Sequence, residues 1–330
     1  MRASIWAWSM RCSQPGQLRC CVFMRPRPPP PVNRTSASFR SSDSTLTEST
    51  FQQATLQSIG KPTSTSSASK VAMRIDVITL FPDLFEPFTQ QGVVRRAYDS
   101  GVVQLRLWQL RDFATGNYRR IDDRPFGGGP GMVMAAQPLA DALAAIRSDR
   151  NEPADQQAPV VLFSPQGTTL THERVSAFAA EDKGVIVVCG RYEGIDQRFI
   201  DRHVDAQWSL GDFVLSGGEI AAIAWLDAVA RLMPGVLGDA DSHGQDSFNA
   251  ALDGLLDCPH YTRPETWEGA TVPTPLLSGN HAAIAAYRRQ QSLVATARSR
   301  PDLIHAARVA GALSKADEVI LKASAPDSPI

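Results

Sequence analysis

The stretch Val185-Ile-Val-Val-Cys-Gly-Arg-Tyr-Glu-Gly-Ile-Asp196 carries the reading of the fold. A short β-branched run ends in a glycine-flanked polar loop, and helical spacing follows over Ile195–His203, so the order is strand, loop, helix. The same alternation extends in both directions. Strands are expected at Ile75–Leu80, Val102–Leu110, Val160–Phe163 and Val185–Cys189, with a further extended segment near Gln207–Val214. Helices are expected at Phe85–Tyr98, Gln137–Arg147, His172–Ala180 and Ile195–His203, and a longer one at Glu219–Leu232 is stopped by Pro234-Gly235. Strands alternating with helices indicate an α/β fold, a parallel sheet covered by helices. Ligands of such sheets bind beyond the C-terminal strand ends, where the trio Arg191, Tyr192 and Glu193 falls.

Outside this core the text changes character. Residues 1–72 mix Arg, Pro and Ser with no sustained period and are expected not to fold. A disordered tail, an Arg- and Ser-rich transit peptide and an over-extended start compete for them. The strand pattern that opens at Met73 favours the last, with residue 73 as the true beginning. The main folded domain is therefore expected over residues 73–238. Residues 239–253 are polar and aperiodic and read as a mobile linker, and 254–330 as a smaller, mostly helical domain rich in Arg.

The 330 residues suit about two domains. Charge divides unevenly: residues 1–72 hold nine basic and two acidic side chains, and the remainder 24 basic against 32 acidic. An acidic folded part means that any nucleic-acid contact rests on local basic patches and not on overall charge. No apolar run approaches the ~18 residues of a membrane span, so no membrane role is expected. The five cysteines form no Cys-x-x-Cys pair, which suggests neither a disulfide framework nor a zinc site. Cys189, inside a strand pattern, reads as a small core residue.

Three glycine-rich segments carry the chemistry. Asp122-Asp-Arg-Pro-Phe-Gly-Gly-Gly-Pro-Gly-Met132 offers open backbone N–H groups beside Arg119, Arg120 and Arg124, a combination suited to phosphate. A tightly turning loop is the plainer reading. In Cys189-Gly-Arg-Tyr-Glu-Gly-Ile-Asp196, Glu193 serves either a ligand or the N-terminus of the following helix. In Trp208-Ser-Leu-Gly-Asp-Phe-Val-Leu-Ser-Gly-Gly-Glu219, apolar residues interleaved with glycines suit either a flat heterocycle or a bend.

Seven ordered segments resemble the TrmD family of tRNA (guanine-N1)-methyltransferases. They are Leu80-Phe-Pro-Asp-Leu-Phe85, Asp123-Arg-Pro-Phe-Gly-Gly-Gly-Pro-Gly-Met132, Ser164-Pro-Gln-Gly167, Cys189-Gly-Arg-Tyr-Glu-Gly-Ile-Asp196, Gly211-Asp-Phe-Val-Leu-Ser-Gly-Gly-Glu219, Asp246-Ser-Phe248 and Asp257-Cys-Pro-His-Tyr-Thr-Arg-Pro264. The resemblance runs from Met73 to about Leu303. It implies a SPOUT-type parallel sheet with a deep trefoil knot, a small helical C-terminal domain, and a homodimer whose active sites cross the interface. S-adenosylmethionine would be held by Leu162, Phe163, Ser164, Pro165, Gly190, Arg191, Tyr192, Glu193, Ser209, Leu210, Gly211, Phe213, Leu215, Gly217 and Gly218. Ala221 stands where the family usually has Pro, and Phe213 where Tyr is common.

The implied reaction removes a proton from guanine N1 while charge builds on O6, which calls for a base and a cationic partner. The resemblance places Asp246 as base and Arg231 as stabiliser; by themselves they also read as an N-cap and a helix C-terminal charge. The implied substrate is tRNA, at the guanosine 3′ of the anticodon (tRNA position 37), splayed out of its stack. Arg124, Gly127, Gly128, Gly129, Arg263, Arg288 and Arg289 are the candidate contacts, beside Arg298 and Arg300. No protein metal site is expected, Mg2+ enters only by analogy with metal-assisted reactions, and the setting implied is cytoplasmic.

Overall fold

The computed structural model describes residues 73–181, 184–238 and 242–324. The expected disordered extension 1–72 and the start of the linker, 239–241, lie outside the described residues. In chain order the first part contains β1 (Met73–Thr79), α1 (Glu86–Gln90), α2 (Arg95–Asp99), β2 (Val103–Gln109), β3 (Asp122–Asp123), β4 (Val133–Met134), α3 (Ala136–Arg150), β5 (Val160–Thr169), α4 (His172–Ala180), β6 (Val185–Cys189), α5 (Gln197–His203), β7 (Ala206–Ser209) and α6 (Gly218–Leu232). Then follow β8 (Thr266–Trp267), β9 (Ala270–Thr271), α7 (Thr274–Leu277), α8 (His281–Ser299), α9 (Pro301–Val309) and α10 (Lys315–Ser324).

Five strands form one parallel sheet in the order β2-β1-β6-β5-β7. Its central strands read as near-continuous apolar runs because helices cover both faces. On one face Ile75, Val77, Val185 and Val187 pack with Val175 of α4 and Trp225, Leu226 and Val229 of α6. On the other, Ile78, Ile186 and Val188 meet Leu139 and Ile146 of α3 and Phe199 of α5. One carboxylate, Asp76, is fully buried within β1. It accepts hydrogen bonds from Arg74, Arg150 and Trp108 Nε1, so the charge has partners on each side.

The C-terminal region has its own small core of Leu255, Leu293, Ile304, Ala307 and Leu321. Arg289 on α8 donates through Nε and Nη2 to the two Asp317 oxygens at 3.1 and 3.0 Å, and pairs with Asp253 at 2.8 Å. Ser314 and Asp317 cap the start of α10 reciprocally, Ser314 N reaching Asp317 Oδ2 at 2.9 Å and Asp317 N reaching Ser314 Oγ at 3.1 Å.

Several expected boundaries shift for local reasons. The single helix expected over Phe85–Tyr98 is two short ones, because Gln91 is extended and Gly92 takes φ +68°. The helix expected from Ile195 starts at Gln197, where the Asp196 side chain accepts from Arg198 N at 3.0 Å. β7 stops at Ser209, not Val214, since Gly211 turns the chain at φ +150°. β5 runs beyond Phe163: pairing with β7 breaks between Phe163 and Thr168 and resumes through Thr169. Gly167 permits this, as a Cβ there would meet the backbone of Gln207 and Trp208 at 2.5 Å. The segment 242–253 contains two 3-10 turns, Ser242–Gln245 and Ala250–Leu252. The two-residue ribbons β3–β4 and β8–β9 have no periodic signal and were not expected.

Candidate active site

β5, β6 and β7 are neighbours, so the loops leaving their C-terminal ends converge. At the end of β6 the chain turns through Tyr192, at φ 58°, and Gly194. The segment leaving β7 returns to this turn: Gly218 N donates to Gly190 O at 2.9 Å, and Arg191 bridges Gly217. From the other side the first glycine cluster closes in, Glu193 N donating to Met132 O at 3.0 Å. Gly131 lies so close to the Glu193 side chain that a Cβ would sit 2.3 Å from Oε1. Two of the three glycine-rich segments thus meet at Glu193.

These loops enclose a cavity of about 410 Å3. All fifteen residues expected to hold the cofactor line it, together with Gln166, Ile195, Gln197, Ile200 and Gln207, which the sequence reading did not name as cofactor contacts. Ile195 and Ile200 fall in the stretch expected as a helix and Gln207 at the start of an expected extended segment, and nothing in their spacing marks them as site residues. Among the described residues Gln207 Oε1 is buried without a hydrogen-bond partner, an acceptor suited to a ligand N–H. Among the described residues, Arg191 and Glu193 are the only charged ones that line the cavity. Cys189 lies below the floor, and burial pushes its thiol well up, the behaviour of a packed core residue.

Arg231 and Asp246 are brought to each other: Arg231 Nη2 donates to Asp246 Oδ2 at 2.8 Å, with both side chains partly exposed. Neither lines the cavity of its own chain. Arg231 falls on the face of α6 that also carries Ile220, Ile223, Ala224, Asp227 and Ala228, residues at helical spacing left exposed or half-buried. Phe213, Val214 and Ile220 extend that apolar surface to the cavity rim, 54%, 85% and 51% exposed.

Arg124 and Gly127–Gly129 form an exposed loop around Phe126. Arg119 in the same segment is paired with Asp112 at 3.1 Å. Arg263 and Arg288 line a second depression, of about 620 Å3, with His260, Tyr261 and the apolar Leu276 and Ile284. Arg289 stands apart from them, held by Asp317 and Asp253. Among the described residues no three His, Cys, Asp or Glu side chains gather to hold a metal, and no helix is long and apolar enough to cross a membrane.

Residues 73–306 match the family model described as tRNA (Guanine-1)-methyltransferase TrmD. The chain is 66% identical over 249 residues to the tRNA (guanine-N(1)-)-methyltransferase of Paracidovorax citrulli, covering 76% of this chain and 97% of that protein. It is 62% identical to the protein of that name from Polaromonas sp., with 76% and 96% covered. The corresponding protein of Bordetella parapertussis is 58% identical, again over 76% and 96%.

Proposed function

This chain belongs to the TrmD family of tRNA (guanine-1)-methyltransferases, and on that premise we propose that it transfers a methyl group from S-adenosylmethionine to N1 of the guanosine 3′ of the anticodon. The observation that carries the proposal is the convergence of the loops after β5, β6 and β7 on one cavity. Its residues fit the cofactor: apolar and glycine walls suit a flat adenine, the orphan Gln207 Oε1 suits an exocyclic amine, and one cation and one anion suit an amino-acid end. When bound, S-adenosylmethionine supplies an electrophilic methyl on a sulfonium. Among the described residues no three His, Cys, Asp or Glu side chains form a comparable set for magnesium.

Asp246 and Arg231 supply the remaining chemistry. Guanine N1 and O6 belong to adjacent ring atoms, and a carboxylate and guanidinium 2.8 Å apart present a proton acceptor and an oxygen partner side by side. Asp246 takes the N1 proton, and Arg231 stabilises charge at O6. Since neither lines the cavity of its own chain, the pair serves the cavity of a second copy across a homodimer. The face of α6 that leads to Arg231, apolar but for Asp227, is the surface such a copy would cover. A trefoil knot through the loops around the cavity belongs to the same proposal, supported by the return of Gly217-Gly218 to the end of β6. Residues 73–238 form the catalytic domain, 239–253 the linker, and 254–330 the tRNA-binding domain, in which Arg263 and Arg288 meet phosphates.

The test is methyl transfer to defined tRNA transcripts with the product nucleoside read by mass spectrometry. N1-methylguanosine at the position 3′ of the anticodon is expected, with none when that guanosine is replaced by adenosine. A methyl group at another position or base overturns the assignment and leaves a methyltransferase of different site specificity.

A further inference from the structure

Glu219, the second residue of α6, is a fully buried carboxylate. Such a group persists out of water only where its hydrogen bonds are made good. Its oxygens have separate partners. Thr79 Oγ1 at the end of β1 donates to Oε1 at 2.9 Å, and Arg191 Nε donates to Oε2 at 2.8 Å. Arg191 Nη1 continues to Ser216 O at 3.3 Å, and the guanidinium lies over the Phe81 ring, 4.5 Å from its centroid. The backbone of the returning loop presses on the same group, since a Cβ at Gly217 would sit 2.2 Å from Arg191 Nε. Arg191 is thereby fixed in direction by β1, by α6 and by the loop before α6. Its Nη2 has no partner among the described residues, and Arg191 is the only cation lining the cavity.

We propose that Arg191 receives the carboxylate of the cofactor's amino-acid end, and that Glu219, with Thr79, is the positioning residue that aims it. The inference rests on the reading of S-adenosylmethionine as cofactor. The chemistry is electrostatic matching. A guanidinium with two N–H groups committed and an outer edge free takes a carboxylate by charge-assisted hydrogen bonds, while Glu193, the cavity's one anion, faces the ligand's ammonium. Neutralising Glu219 or removing the Thr79 hydroxyl leaves Arg191 in place but frees it to rotate.

The experiment compares two ligands on the full chain by calorimetric titration: S-adenosylmethionine, and its decarboxylated analogue, which keeps adenosine, sulfonium and amine. The unmodified protein should prefer the carboxylated ligand by about 10- to 100-fold, the usual worth of a hydrogen bond to a charged group. Glu219→Gln should weaken S-adenosylmethionine by about tenfold or more and barely alter the analogue, so that the preference collapses. Arg191→Met should abolish it. Thr79→Val should reduce it and Thr79→Ser should restore it, which keeps the test intact if Glu219→Gln does not fold. In steady-state assays the loss should fall on the KM for S-adenosylmethionine and not on kcat. Parallel weakening of both ligands by Glu219→Gln or Thr79→Val would make the cluster a structural strut and overturn the proposal. Equal affinity of the unmodified protein for both ligands would also overturn it. Failure of the unmodified protein to bind S-adenosylmethionine at all would instead sink the cofactor reading.

Discussion

At Asp246 the proposed chemistry reduces to one proton. Asp246→Asn keeps shape and one acceptor oxygen but removes the capacity to take a proton, so single-turnover methyl transfer should fall by about 10²–10⁴-fold at saturating cofactor and tRNA. The Arg231–Asp246 pair is partly exposed, so the same change should alter stability by under about 1 kcal/mol. A rate within a few-fold of the unmodified protein would remove Asp246 from the base role. The two neighbouring arginines of α8 should separate cleanly. Arg288→Ala should weaken tRNA binding and lower the slope of log affinity against log salt by about 1. Arg289→Ala should instead destabilise the C-terminal helices, because its guanidinium holds Asp317 and Asp253. Sequence could not tell these two apart. Both are basic residues on one helix, and what distinguishes them is a carboxylate 28 positions away. The link between Thr79 and Glu219 was invisible for the same reason, the partners standing 140 positions apart.

At the scale of elements, the cavity walls were legible where sequence and space coincide: the walls after β6 and β7 are glycine-rich segments that follow their strands closely. Boundaries were less so. The interruption of β5 depends on Gly167 lying against β7, a contact that no period in the sequence records. Gly167→Ala should force the strands apart at the cavity wall, costing roughly 1–3 kcal/mol and weakening cofactor binding, as thermal melts and titration would show. α10 carries a pH signature. The Arg289 guanidinium and the Ser314 donors hold the Asp317 carboxyl down at about 2, against an ordinary 3.8. A depressed carboxyl stabilises the fold above its unfolded value and loses that contribution as pH falls through the folded one. The C-terminal helices should therefore lose stability between about pH 4 and pH 2. In Asp317→Asn they should be weaker at neutral pH and should lack that acid step, both measurable by circular dichroism melts across the range.

For the whole molecule, the family match opens at Met73, and a chain beginning there should keep full methyl transfer and thermal stability; a large loss of either would give residues 1–72 a role. The proposed crossed active site makes a quantitative claim. Assayed at S-adenosylmethionine concentrations far below the KM of the Arg191→Met protein, chains carrying Asp246→Asn and chains carrying Arg191→Met should each be nearly inactive alone, yet when co-refolded they should recover about a quarter of normal activity, since half the dimers are mixed and each has one intact site. No recovery, despite mixed dimers in native mass spectrometry, would place base and cofactor in one chain. The strand order has a further consequence for how the molecule is made. β1 is complete early in synthesis and pairs with β2, but its other edge waits for β6, Ile75 meeting Val185 across more than a hundred residues of intervening chain. Until then the nascent polypeptide carries an unpaired apolar strand edge as it leaves the ribosome. High contact order of this kind slows folding and exposes sticky intermediates, so yield during expression should depend on chaperones and temperature far more than the finished protein's stability would suggest.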